Sequence, residues 1–273
     1  MAWPQDHWYA LADDTRIKVR FDDPYVADPD ILQLWRFHVV DGGVLRVPSG
    51  RLGIADPGYD LRGRTDHSDL GEVQIPPGSH PVQVTQAAIS RRDHGSPVLD
   101  TRTAYVSVLL GAGAEVHRRK LALLPQGQAP PPLEDDEFIG FGVDGGRACL
   151  VDAEAAQRSY PSVDAWFVRF HPETRAWWGD PPEEDGDWFD AMYGPLDSHP
   201  KPDQEPRPVV NLALPHAPEG ENVVAVNSGW GGGYYAAVGG YDANGRLAAV
   251  HVDFFLIPDP PGSSRVMASV EPE

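Results

Sequence analysis

The stretch "VVAVNSGWGGGYYAAVGGYDANGRLAAVHVDFFLIP", residues 223–258, leaves few ways to fold. Its apolar runs are separated by a glycine-rich turn, "GWGGG", and by "DANG". Asn-Gly readily adopts the left-handed backbone that a tight hairpin requires. The runs therefore read as successive antiparallel strands. In the last one, "RLAAVHVDFFLI", alternation puts Ala248, Val250, Val252, Phe254 and Leu256 on one face, all apolar. The other face holds Leu247, Ala249, His251, Asp253, Phe255 and Ile257. A strand apolar on both faces but for one ionisable pair is expected to be covered on both sides. It also reads as the longest strand of the chain.

The same logic recurs upstream. "VLRVPSGRLGIADPGYD", "GSHPVQVTQAAI", "TAYVSVLLG" and "FIGFGVDGGRACLVDAEA" are short apolar runs between turn signals, with "SRRDHGSPVLD" expected as a loop. "DILQLWRFHVV" reads as a brief helix or strand. The one strong helix former, "AEAAQRSYPSVDAWFVRF", should break at Pro161. With 28 glycines and 28 prolines in 273 residues, short elements joined by turns are favoured over long helices. The expectation is a mainly β protein: an antiparallel sandwich or two packed sheets with one or two short helices. A lead-in over 1–40 precedes a first β-rich half over 41–127 and a proline-rich acidic linker over 128–137. A second β-rich half spans 138–258, with an acidic aromatic loop at 171–208, and 259–273 reads as a flexible tail. "SGRLGIAD", "GGRACLVD" and the looser "NGRLAAVHVD" share an Arg, an apolar strand and a closing Asp, which raises the question of an internal duplication.

Charge narrows the function. A net charge of −19 argues against nucleic acid and anionic membranes, which reward clustered Lys and Arg. No apolar run approaches the roughly 20 residues that span a bilayer. The single cysteine, Cys149, forbids an intramolecular disulfide, and the N-terminus shows no secretory pattern, so a cytoplasmic protein is expected. Residues 128–205 contain 5 basic and 18 acidic residues, a net of −13. They form either a solvated face or a docking surface for a basic partner. The stretch over 171–208 reads as too acidic and proline-rich for a core element, yet it carries Trp177, Trp178 and Trp188.

The block "NVVAVNSGWGGGYYAAVGGYDANGRLAAVHVDFFLI" resembles the C-terminal signature of a bacterial family known as domain of unknown function 4241. "GRLGIADPG", "PPGSHPVQV" and "GFGVDGGRACLVDAE" are similar to its earlier blocks, so the resemblance covers most of 47–257. In that family the turn usually reads Gly-Trp-Gly-Asp-Gly, and here Gly232 stands at the Asp position. The resemblance implies a fold unit and no reaction.

Candidate chemistry centres on the same block. Ser228, His251 and Asp253 are the residue types of a nucleophilic triad, but Gly-x-Ser-x-Gly and its strand-turn-helix elbow are absent. His251 and Asp253 could hold a metal with Asp56, Asp152 or Asp242, but no His-x-His, His-Glu-x-x-His or paired-Cys motif accompanies them. No metal or cofactor is expected. Phosphate cradling by "GWGGG" is disfavoured, because a strand follows it and no Lys or Arg sits nearby in sequence. Cys149 reads as an inert buried thiol. Two functional readings result. The first is a binding protein, immunity- or antitoxin-like towards a basic partner, contacted through 177–193. The rival is a small-molecule enzyme or ligand-binding protein with a pocket at the 228–235 loop. Trp230, Tyr234, Tyr235, Tyr241 and Asp242 would line it beside His251 and Asp253. His251 itself, alone among apolar neighbours, is expected to be structural.

Overall fold

A computed structural model describes residues 16–21, 32–59, 61–62, 70–93, 96–111, 113–124, 128–129, 131–132, 137–197, 207–257 and 268–272. Two antiparallel sheets pack together. The larger runs β14 (Ala268–Pro272), β1 (Arg16–Phe21), β2 (Leu32–Val47), β5 (Gly78–Asp93), β6 (Ser96–Leu109), β13 (Leu247–Asp253), β12 (Gly233–Asp242), β7 (Glu115–Leu121). A short β8 (Phe141–Val143) also pairs with β12. The smaller sheet runs β10 (Val209–Ala213), β11 (Asn222–Asn227), β9 (Arg147–Asp152), β3 (Arg51–Ala55), β4 (Gly71–Gln74). Both sheets draw strands from before and after 128–137, a segment of which half lies outside the described residues.

The main core lies between the sheets. Leu52, Ile54, Leu150, Val224 and Val226 of the smaller sheet meet Val82, Val84, Val106, Val108, Val250 and Val252 of the larger. The other face of the smaller sheet is buried as well. Ala55, Cys149, Val151, Val223 and Ala225 pack under helices α1 (Ala153–Ser159), α2 (Val163–Phe170) and α4 (Glu183–Leu196). Strands covered on both faces read as unbroken apolar runs, which accounts for "VVAV" in β11 and "ACLV" in β9.

Several expectations change. The 171–208 segment folds, as far as it is described, into a 3-10 turn (Pro172–Thr174), α3 (Arg175–Trp178) and α4. Glu183, Glu184 and Asp185 in the first turn of α4 suit the positive end of its dipole. Phe189, Met192, Tyr193 and Leu196 recur at helical spacing and are all buried in the second core. The expected loop "SRRDHGSPVLD" is a continuation of β5 and β6, whose register runs out to Asp93 opposite Ser96. The described part of "DILQLWRFHVV", from Leu32 on, belongs to the 16-residue β2. β13 is only 7 residues long, shorter than β2 and β5. It ends because Phe255 turns into the left-handed region (φ 50°) while Asp253 Oδ1 accepts its N–H at 2.8 Å. Residues 268–272 of the expected tail pair with β1. The helix break at Pro161 and the apolar face of Ala248, Val250, Val252, Phe254 and Leu256 are as expected.

Two of the look-alike strands, β3 and β9, lie side by side, with Leu52 opposite Asp152 and Ala55 opposite Cys149. Their closing carboxylates act reciprocally. Asp152 accepts Ser49 N–H (2.9 Å) in the turn leading into β3 and caps α1 through Ala155 N–H (2.8 Å). Asp56 accepts Asp144 and Gly145 N–H (2.8 and 2.9 Å) in the turn leading into β9, and Gly58 N–H at 2.7 Å. Each buried carboxylate thus ties down the other strand's entry. No helix among the described residues is long and apolar enough to cross a membrane.

Candidate functional site

His251 points away from the core on β13 and is 1% exposed. Its Nδ1 lies 2.8 Å from Ser107 Oγ on β6, and its Nε2 lies 3.1 Å from Glu115 Oε1 on β7. Arg118 Nε donates to the other Glu115 oxygen at 2.9 Å. Burial pushes the His251 pKa down, although Glu115 pulls it the other way. For Glu115 burial pushes upward, but the His251 hydrogen bond and the charge of Arg118 outweigh it and hold the carboxyl below its usual range. A neutral imidazole satisfies both partners: Nε2–H donates to the Glu115 carboxylate, and Nδ1 accepts from the Ser107 hydroxyl. One glycine of β12 serves this centre. A Cβ on Gly240 would collide with the Glu115 carboxylate, so only glycine lets that side chain reach His251.

The proposed triad does not assemble. Ser228 Oγ donates to Gly231 O at 2.7 Å, closing its own turn, and Asp253 is occupied with Phe255 N–H. Nor do Tyr241, Asp242, His251 and Asp253 line the cleft that opens beside the 228–231 turn. Asp242 closes the "DANG" turn by accepting Asn244 N–H, Arg246 N–H and Arg246 Nε–H. The backbone bond from Arg246 leads in holding its pKa down to about 2. Tyr241 takes a hydrogen bond from Arg119 Nε at 2.9 Å and stacks on His117. Tyr235 is buried and donates to Gly231 O, while the half-exposed Tyr234 accepts Gly140 N–H. Among the described residues no three His, Cys, Asp or Glu side chains are grouped to hold a metal ion. Burial pushes the Cys149 thiol far up in pKa, so it stays protonated.

Two hollows remain. A cleft of about 740 Å³ opens beside the turn at 228–231, between β6, the start of β9 and the C-terminal end of α4. Asn227 pairs with Arg147 across β11 and β9, which sets the turn against Arg147. Gly229 (φ 38°) packs so closely on Phe254 that a Cβ would lie 2.9 Å from that residue's Cβ, so glycine is required there. Arg102, Arg147 and Arg207 line this cleft. The second hollow, about 600 Å³, is walled by Trp166, Phe167, Phe170 and Tyr193. The two share Arg147 and Asp197. Trp230 is half-exposed at the cleft, with the Arg102 guanidinium 5.2 Å from its ring. Trp188 is half-buried, donating Nε1–H to Ala213 O, whereas Trp177 is 76% exposed. The Trp178 side chain lies outside the described residues.

Sequence reasoning missed Ser107, Glu115 and the three arginines. No local signal marks them: strand pairing brings Ser107, Glu115, Arg102 and Arg147 to their places, and a backbone hydrogen bond to Pro195 O at the end of α4 holds Arg207.

Taken together, these features define a mainly β, two-sheet antiparallel protein with a helical layer on its smaller sheet and a ligand-sized cleft beside a glycine-rich turn. Residues 45–252 match the family described as "Protein of unknown function (DUF4241)", and the chain belongs to that family. No curated relative and no solved structure matches it.

Proposed function

We propose that this is a binding protein that captures a basic, apolar-tipped protein segment on its α2–α4 layer. The observation that carries this reading is the set of aromatic side chains left at the surface of an acidic layer. Phe170 is 57% and Trp177 76% exposed, and Trp166, Phe167 and Tyr193 wall the adjoining hollow. Exposed apolar groups rimmed by charge mark interaction surfaces, and aromatic residues dominate the energetics of such surfaces. The layer is built, not a loose tail. Asp185 accepts Ser162 N–H at 2.7 Å, and Arg169 joins α2 to α4 through Asp187 and Asp190. Between residues 163 and 197 there are 9 acidic and 2 basic residues, and both basic ones, Arg169 and Arg175, are ion-paired within the layer. The surplus negative charge selects a basic partner and speeds its approach. Placement of His251, Ser228 and Asp253 in separate bonded networks favours binding over triad hydrolysis. The reading extends to an immunity- or antitoxin-like role in the cytoplasm, where a basic toxin would be the partner.

A fluorescent Lys/Leu peptide, with a Glu/Leu peptide as control, tests it. The basic peptide should bind at low salt, weaken as salt rises, and lose about tenfold in affinity with Trp177→Ala or Phe170→Ala, the scale of one interfacial aromatic. Equal binding of the acidic peptide, or binding untouched by both substitutions, would sink the proposal.

A further inference from the structure

The cleft beside the 228–231 turn carries a second function. We infer that it binds a compact organic anion, a phosphate- or carboxylate-bearing small molecule, through Arg147 and Arg207 with Arg102 at its wall.

The neutral polar groups lining the cleft are already occupied. Gln86 Nε2 donates to Thr103 Oγ1 (3.0 Å), Asn227 Nδ2 to Leu196 O (2.8 Å), and Ser228 Oγ to Gly231 O (2.7 Å). They shape the walls and have little left to offer a ligand. The arginines differ. Arg102 directs Nε at both Asp100 oxygens (3.0 Å each), and its NH1 makes only a long 3.5 Å contact to Gly229 O. The Arg147 guanidinium lies 4.7 Å from the Tyr193 ring centroid, and its NH1 makes a 3.3 Å contact to Gly145 O. The Arg147 Nε is buried and donates to no acceptor among the described residues. Arg207 is fixed through its backbone N–H to Pro195 O at 2.7 Å, and among the described residues its guanidinium makes no hydrogen bond or ion pair.

A buried guanidinium N–H without an acceptor is costly in a finished structural network. In a residue that also lines an open cleft together with Arg102 and Arg207, it points to an anion. Aromatic rings under Arg102 and Arg147 fix both guanidinium groups while leaving N–H edges available, and those edges match carboxylate and phosphate oxygens. The charge is local, because Asp100 already balances Arg102 in a chain of net charge −19. Arg147 and Arg207 supply the positive field, against one further carboxylate in the lining, Asp197. Gly146 (φ 69°), Gly229 and Gly231 (φ 111°) keep side chains off the cleft floor, so a ligand can approach the backbone. At about 740 Å³ the space suits a small molecule, whose pockets span roughly 300–1,000 Å³.

The test is isothermal titration with pyrophosphate, adenosine monophosphate and citrate, each against sodium chloride at matched ionic strength. At least one probe should bind above the chloride background. Citrate would mark a carboxylate ligand, whereas pyrophosphate or the nucleotide would mark a phosphate one. Arg147→Gln should weaken the binding probe about tenfold and Arg207→Gln severalfold, as expected for lost charge-assisted bonds. Arg207 is exposed, so its variant keeps the test valid if Arg147→Gln should perturb the fold. Trp177→Ala should leave anion binding unchanged, which separates this site from the helical layer. Failure of all three probes, or affinity undiminished in both arginine variants, overturns the inference.

Discussion

The His251 centre and the arginine cleft are both polar sites beside a sheet, and they are completed in opposite ways. Both nitrogens of the His251 imidazole are matched, by Ser107 and by Glu115, and Glu115 in turn meets Arg118 Nε. In the cleft the neutral groups are matched but guanidinium donors are left over. A buried polar group must find a partner or carry a penalty, so a fully bonded imidazole away from any described cleft reports a structural role, and arginines lining an open cleft point to a ligand. Residue type alone would rank the two sites the other way, since His beside Ser and Glu looks catalytic. The bonding of the central group and its access to open space decide.

The sharpest way to break this comparison is to remove the imidazole. His251→Leu keeps much of the volume and leaves Ser107 and the Glu115 carboxylate without their shared partner. Stranding a buried hydrogen-bonded charge should cost about 2–4 kcal/mol, read by urea denaturation. A loss below roughly 0.5 kcal/mol, the scale of an ordinary surface change, would mean that the centre is not structural.

A smaller effect should appear in the pH dependence. The folded protein holds His251 below its ordinary 6.5, chiefly through burial. The unfolded chain therefore takes up the proton first, and stability falls as pH drops below about 6.5. Above that pH the contribution is fully present. Glu115, held below its ordinary 4.5, acts in the same direction at lower pH, its stabilisation being lost on acidification. Melts between pH 8 and 5 should show wild type losing stability on acidification, with a flatter profile in His251→Leu. If wild type instead gains stability in that window, His251 is charged in the fold and ion-paired to Glu115.

The strands of this comparison were legible in the sequence, and its partners were not. Alternation around Val250 and Val252 and the "DANG" turn announced β13 and β12, because strand period and turn chemistry are local properties. The partners of His251 lie 144 and 136 residues away and arrive only through the pairing of β13 with β6 and of β12 with β7. The glycine-rich turn looked unsuited to anions because its sequence neighbours lack Lys and Arg. Arg102 and Arg147 reach it from β6 and β9, by the same long-range pairing. The α4 helix was hidden for another reason. Its acidic and proline content masked a helical period in Phe189, Met192, Tyr193 and Leu196 that was there to be read.

The smallest expected effect is also the most discriminating. Arg147→Gln removes a guanidinium whose Nε has no acceptor among the described residues, and it keeps a polar side chain of similar reach. Two contributions then oppose each other. The stacking contact with Tyr193 is lost, which at a partly exposed site is worth about 0.5–1 kcal/mol. Against that, an unmatched buried donor is removed, which recovers free energy of similar size. Unfolding stability should therefore stay within about 1 kcal/mol of wild type, in either direction, while anion affinity falls. That pairing of outcomes is the reverse of the one expected for His251→Leu. Should Arg147→Gln destabilise as strongly as His251→Leu in the same urea series, Arg147 belongs to the scaffold, and the contrast between a closed and an open centre fails.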